Sequence, residues 1–216
     1  MPIADELCKS SSKRVLLVEG KNDCHVIMAL CEHYAVPETF GIYECGSDTQ
    51  LLKRLNALIS QPDPPEMIGV VLDADTDVAN RWMSLQGKLR HYNYNFPQSP
   101  SVNGTVVHSN EEATQLGIWL MPNNQEAGML EDFCAQMIDA KAKSIAEYCV
   151  DYAQSEGVCT FKSVHKTKAI VHTYLAWQDE PGRRLGQAIT CQALRAETET
   201  AASFIGWLNQ LFNSDL

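Results

Sequence analysis

The apolar run Met67-Ile-Gly-Val-Val-Leu72 ends abruptly in three alternating carboxylates, Asp73, Asp75 and Asp77. A short run of this kind, rich in β-branched residues, predicts a buried strand of a parallel sheet. Open α/β sheets bind ligands at the carboxyl ends of their strands, which is where these carboxylates fall. In extended backbone, residues two apart project to the same side, so Asp73 and Asp75 are expected to share a face. Two carboxylates that close repel unless a proton or a cation lies between them. Mg²⁺ suits the position, because it takes hard oxygen ligands and needs only one or two from the protein.

The remainder of the chain supports an alternating pattern. Arg14-Val-Leu-Leu-Val18 reads as a first strand ending in Glu19-Gly20-Lys21-Asn22-Asp23, with a helix over Cys24–Tyr34 whose apolar positions face a sheet. Gly41–Cys45 reads as a second strand, followed by a helix capped by Asp48 and carrying Leu51, Leu52, Leu55, Leu58 and Ile59. After the prolines at 62, 64 and 65 comes the Asp-rich strand, then a helix over 77–89 and a loop-rich stretch over 91–102. Gly104–His108 and Gly117–Met121 predict two further strands, neighbours at a sheet edge, and Met129–Phe133 opens another helix. From Ile138 onward only helices are expected, at roughly 139–155, 163–178, 185–195 and 199–213. The pattern predicts an α/β chain with a mostly parallel sheet over 13–133 and an all-helical C-terminal region over 134–216, with either one shared core or two. Residues 1–12 are a polar lead-in, expected to be loosely ordered or to form a short helix.

In a parallel sheet the strand ends that carry Glu19, Asp73 and Glu131 share one edge. Glu19, Asp23, Asp73, Asp75 and Glu131 are therefore expected to converge, with Gly20 permitting a tight turn and close approach of a ligand.

The pairing of Glu19-Gly20-x-x-Asp23 with Asp73-x-Asp75-x-Asp77, each terminating an apolar strand, resembles the TOPRIM module. That module is shared by topoisomerases, bacterial primases and small nucleases of the overcoming-lysogenisation-defect type. The resemblance covers about residues 13–133. It implies a Rossmann-like sheet carrying one or two Mg²⁺ or Mn²⁺ ions and phosphodiester chemistry at its carboxyl edge. It further implies that Glu19 is a metal ligand or general acid/base and that Asp73 and Asp75 are metal ligands. Asp23, Asp77 and Glu131 are second-tier ligands. Members of the overcoming-lysogenisation-defect type add a later glutamate and a lysine; Glu131 fits the former, and Lys166 or Lys168 the latter. Gly20, Lys21, Arg183 and Arg184 are candidates for phosphate or substrate contact.

Alternative readings of the acidic stretch are weaker. A calcium EF-hand loop starting at Asp73 fails, because its sixth position is Val78 and its twelfth Ser84. In phosphatases of the haloacid-dehalogenase type the Asp-rich strand comes first, whereas here it is third. An ordinary N-cap at the strand–helix junction is the plain structural reading, and Glu131 suits a helix start on macrodipole grounds alone.

The formal net charge of −10 argues against a surface that grips nucleic acid over a wide area. Between residues 160 and 196, however, Lys162, Lys166, Lys168, Arg183, Arg184 and Arg195 face only Asp179 and Glu180, a local excess of four positive charges. That region is the candidate phosphate-binding wall. The eight cysteines form no Cys-x-x-Cys pair, and the N-terminus shows no signal peptide, which together predict a reducing cytoplasm. No apolar stretch has the length of a membrane span.

The expected activity is therefore Mg²⁺-dependent phosphodiester hydrolysis on nucleic acid or a nucleotide. A metal-binding subunit that works beside a partner ATPase is the second expectation, and a small-molecule phosphatase or nucleotidyl transferase the third. Homo-oligomerisation is compatible with all three.

Overall fold

Strand β1 (Arg14–Val18) sends Leu16 and Val18 to one face and Val15 and Leu17 to the other, and all four side chains are buried. Burial on both faces is the mark of a parallel strand covered by helices on each side. The computed structural model describes residues 13–37, 39–109, 111 and 113–214; the lead-in over 1–12 lies outside them. Among the described residues, β1, β2 (Gly41–Glu44), β3 (Met67–Asp73), β4 (Thr105–Val107) and β5 (Gln115–Met121) form one sheet in the order β2-β1-β3-β5-β4. All neighbours are parallel except β4, which runs antiparallel to β5 at the edge. The fold is α/β and Rossmann-like, with the predicted helices after the sheet.

The strand order makes one position special. From β1 the chain moves outward to β2, then crosses back to β3 on the other side of β1. The order therefore reverses between β1 and β3, the crevice in which open α/β sheets bind ligands. Glu19 and Asp73 stand at the carboxyl ends of those two strands.

Helices α1 (Lys21–His33), α2 (Asp48–Ile59) and α3 (Val78–Leu89) follow the first three strands. The chain then adds α4 (Leu130–Ala135), α5 (Ala140–Ser155), α6 (Lys166–Leu175), α7 (Leu185–Thr190) and α8 (Glu199–Phe212). Leu51 and Leu55 of α2 and Trp82 and Leu85 of α3 pack with Val15, Leu17, Ile68, Val70 and Leu72 on one face of the sheet. On the opposite face a single apolar cluster draws Leu16, Val18 and Trp119 together with side chains from α1 and from α4 through α8.

Several boundaries differ from expectation for local reasons. Helix α1 begins at Lys21 because Gly20 serves as its N-cap and Asp23 receives the Gly20 N–H at 3.0 Å. The N-cap of α2 is Ser47, whose hydroxyl accepts from Gln50 N, which leaves Asp48 uncommitted to capping. Helix α6 is preceded by a 3-10 turn at Ser163–His165. Helix α7 stops at Thr190 rather than near 195, since Gln192 adopts φ 62 and Leu194 N–H returns to Ala188 O at 2.9 Å.

The last helix fits the sheet through missing side chains. Gly69 on β3 and Gly117 on β5 are register partners. A Cβ on Gly117 would lie 2.3 Å from Leu211 Cδ2, and one on Gly69 would lie 2.6 Å from Leu16 Cδ1 and 3.0 Å from Phe212 Cζ. Helix α8 thus seats Leu211 and Phe212 in a groove left by two glycines on the central strands. Beside it, Trp119 meets Phe204 edge-on with centroids 5.1 Å apart. Among the described residues no helix is long and apolar enough to cross a membrane.

Gly117→Ala is expected to lower unfolding stability by about 1–3 kcal/mol through overpacking against Leu211. Leu211→Ala in the same chain should cost less than the two single losses combined, because the substitutions share one contact. Urea denaturation midpoints read both, and a midpoint unchanged by Gly117→Ala would contradict this packing.

Candidate metal centre at the carboxyl edge of the sheet

Backbone amides hold the acidic residues in place. Glu19, directly after β1, accepts the Asp73 N–H on Oε1 at 2.9 Å, which ties the ends of β1 and β3 together. Asp73 in turn accepts the Leu130 N–H on Oδ1 at 3.0 Å, which ties β3 to the first residue of α4. Asp23, in the first turn of α1, accepts the Gly20 N–H on Oδ2. Glu131, one residue into α4, is 5% exposed, and Lys168 Nζ of α6 lies 2.7 Å from its Oε1. Three strand ends, distant in sequence, therefore deliver Glu19, Asp23, Asp73 and Glu131 to one place.

Their electrostatics follow from burial and crowding. Burial pushes the Asp73 carboxyl from an ordinary 3.8 up to about 8, and repulsion from Asp23, Glu19, Glu131 and Asp75 adds to the effect. Asp23 rises to about 7, first through burial and then through Glu19, against the lowering effect of the Gly20 N–H. Glu19 is also raised by burial, offset in part by the Asp73 N–H.

Asp75 behaves differently from its neighbour. The chain leaves extended geometry after β3: Asp75 has φ 55 and donates its N–H to Gly128 O at 2.9 Å. The expectation that Asp73 and Asp75 project together from extended backbone is therefore not met. The Asp75 carboxylate is instead bound by Arg81 Nη2, while Arg81 Nη1 lies 3.0 Å from Asp48 Oδ2. That hydrogen bond is the main reason the Asp48 carboxyl is lowered. Asp77 caps α3: its Oδ1 accepts Asn80 N at 3.0 Å and its Oδ2 accepts Asn80 Nδ2 at 2.8 Å. Both of its oxygens are in use, as the plain reading of an Asp at this junction requires.

The expected phosphate contacts are only partly gathered. Lys168 joins the cluster, whereas Lys166, on another side of α6, pairs with Asp151 of α5 at 2.5 Å. Lys21 is exposed at the start of α1. Gly20 has φ −140, an extended conformation open to any residue, so no sharp turn requires a glycine there. Arg183 pairs with Glu180 at 3.1 Å, and Arg184 is the exposed N-cap residue of α7. Neither arginine is paired with the carboxylate cluster. Asp48, expected as the cap of α2, instead meets Arg81; their contact spans 33 residues and leaves no local pattern.

The chain matches the sequence model of a family described as a protein of unknown function (DUF3226), over residues 13–213. It belongs to the DUF3226 family. No curated protein and no solved structure matches it. The match spans the sheet and the helices after it, so the DUF3226 unit includes both Glu19 and Lys168.

For a divalent cation the donor chemistry in this DUF3226 chain is hard carboxylate oxygen, which suits Mg²⁺ or Mn²⁺ and not a soft-ligand metal. Among the described residues no group of three or more His, Cys, Asp or Glu side chains is already set around one ion position. An ion held here would take one or two carboxylates and keep water in its remaining positions, which is the ordinary habit of Mg²⁺. Glu19, Asp73 and Asp23 each retain one oxygen outside the backbone hydrogen bonds described above and are the residues that fit.

Carboxyls raised in the folded state bind protons there that the unfolded chain has already released. Between pH 4 and 8 the folded protein holds the extra protons, so Asp23 and Asp73 contribute stability that declines as pH rises through that window. In metal-free buffer Asp73→Asn, which keeps the Oδ1 acceptor for Leu130 N–H, should therefore raise Tm at pH 8 and change it little at pH 4. A Tm at pH 8 equal to or below that of the wild type would contradict the crowding described here.

Proposed function

We propose that this DUF3226 chain is a Mg²⁺-dependent phosphodiester hydrolase of the TOPRIM type, acting on nucleic acid. One observation carries the reading. Glu19 and Asp73, at the ends of the two strands that flank the switch point, are linked through the Asp73 N–H, with buried Asp23 and Glu131 beside them. Buried carboxylates gathered at a ligand-binding crevice with too few cations around them favour a bound metal. The resemblance of Glu19-Gly20-x-x-Asp23 and Asp73-x-Asp75 to the TOPRIM motifs points to the same chemistry. A bound Mg²⁺ neutralises a phosphodiester and lowers the pKa of coordinated water.

The protein's own groups have distinct parts in this reading. Glu19, fixed through Oε1, has one further oxygen, which serves either as a ligand beside Asp73 and Asp23 or as the acceptor of a proton from the attacking water. Asp73 and Asp23 would hold the metal. Lys168, half-exposed beside buried Glu131, presents an ammonium where a phosphate oxygen arrives. The feature that bears on a nucleic-acid substrate is on α5, which packs against α6. On it Tyr148 and Tyr152 are strongly exposed, their rings inclined by only 14° with centroids 6.4 Å apart. Exposed, nearly parallel aromatic rings are stacking surfaces for unpaired bases. Arg81 and Lys168, rather than Arg183 and Arg184, are the cations at the centre.

The second reading is a metal-binding subunit that works only beside a partner ATPase, and the net charge of −10 favours it over a chain that engages naked nucleic acid alone. Calorimetry and cleavage separate the two. Mg²⁺ and Mn²⁺ should give a binding isotherm with wild type that Glu19→Gln and Asp73→Asn weaken. Cleavage of a single-stranded oligonucleotide should fall by roughly 10²–10⁴-fold in those variants. Metal binding without cleavage of DNA or RNA would favour the partner-dependent subunit. Cleavage equal to wild type in both variants would reject the catalytic assignment.

The double substitution Tyr148→Ala/Tyr152→Ala should weaken oligonucleotide binding in EDTA by about 1–3 kcal/mol per base stacked. It should leave hydrolysis of a chromogenic phosphodiester unchanged. Fluorescence anisotropy with labelled single strands checks the first expectation, and undiminished binding would count against nucleic acid as the ligand of this face.

A further inference from the structure

Arg81 stands in the first turns of α3 with a side chain only 16% exposed. It joins three separate pieces of chain: Asp48 at the start of α2, Asp75 in the turn after β3, and its own helix. A guanidinium stays charged at any working pH and presents a rigid fork of donors, so a pair of carboxylates is a stable seat for it. Asp75 is aimed into that seat by its left-handed backbone, which the hydrogen bond to Gly128 O fixes. Its charge is thereby met without a metal.

Across the cluster, Lys168 meets Glu131 in the same way. Among the described residues, the carboxylates of the cluster not paired with a protein cation are Glu19, Asp73 and Asp23, and each has one oxygen taken by a backbone N–H. One or two of these remaining oxygens, with water, suffice for one hydrated Mg²⁺. A second ion about 4 Å away would need further ligands, and Asp75, just past the end of the strand that carries Asp73, is the neighbouring carboxylate, bound by Arg81.

We propose that Arg81 is a built-in cation standing in the place of a second metal ion: it keeps Asp75 out of ligation, and the site takes a single divalent ion. This inference rests on the metal-dependent reading above. It assigns Arg81 as a positioning residue and removes Asp75 from the ligand set.

The test is the number of Mn²⁺ ions bound per full-length chain, counted by electron paramagnetic resonance and calorimetry. Wild type is expected to bind one. Arg81→Gln releases Asp75 and should bind two, and Arg81→Gln/Asp75→Asn should return to one. Where circular dichroism shows that Arg81→Gln is misfolded, Arg81→Lys and Asp75→Asn carry the test, and both should bind one ion with wild-type affinity. Two ions on the wild type, one ion on folded Arg81→Gln, or weakened binding in Asp75→Asn would each overturn the role of Arg81. No ion on the wild type is a different failure: it removes the metal-dependent reading itself, and the stand-in role with it.

Discussion

Repulsion among buried carboxylates at one edge of a sheet is the constraint to which much of this structure answers. Glu19, Asp23, Asp73 and Glu131 come from separate parts of the chain, and bringing them together is unfavourable unless charge is shed or balanced. The fold balances it locally. The backbone amides of Asp73, Leu130 and Gly20 each point at one carboxylate, Lys168 meets Glu131, and Arg81 meets Asp75 and Asp48. Between these fixed donors lies a remainder of negative charge at the switch point of the strand order.

The same arrangement explains why the helices after the sheet belong to the site as well as to the core. Helix α4 presents Glu131 and the Leu130 amide, and α6 presents Lys168. Helix α8 closes the sheet face on which α4 and α6 also pack, through the groove left by Gly69 and Gly117. A change in how these helices seat on the sheet therefore moves the cation nearest the carboxylates.

Much of this was legible in the sequence, for identifiable reasons. Apolar runs ending in acidic residues mark strand ends, and parallel topology forces those ends to one edge, so Glu19, Asp23, Asp73 and Glu131 follow from pattern alone. The rest depended on geometry that the pattern does not carry. Lys166 and Lys168 are equivalent as text, yet two residues along a helix is more than half a turn, which sends one to Asp151 and the other to Glu131. Asp75 is the twin of Asp73 only if extended backbone continues past the end of β3, whereas its left-handed conformation turns it to Arg81. Asp48 stands beside a helix start that Ser47 caps, so its pattern hides the partner of Arg81. The glycine pair under α8 carries no signal of its own, since a close approach shows itself in sequence only when the partner helix is known.

The central claim is that the edge between β1 and β3 is a cation site built from Glu19 and Asp73. Its most direct test is an anomalous difference map from crystals grown with Mn²⁺. The account predicts a peak within ligand distance, about 2.0–2.3 Å, of carboxylate oxygens of Glu19 or Asp73, with waters completing the shell. A map with no peak at that edge, or with its only peak at other carboxylates, would contradict it.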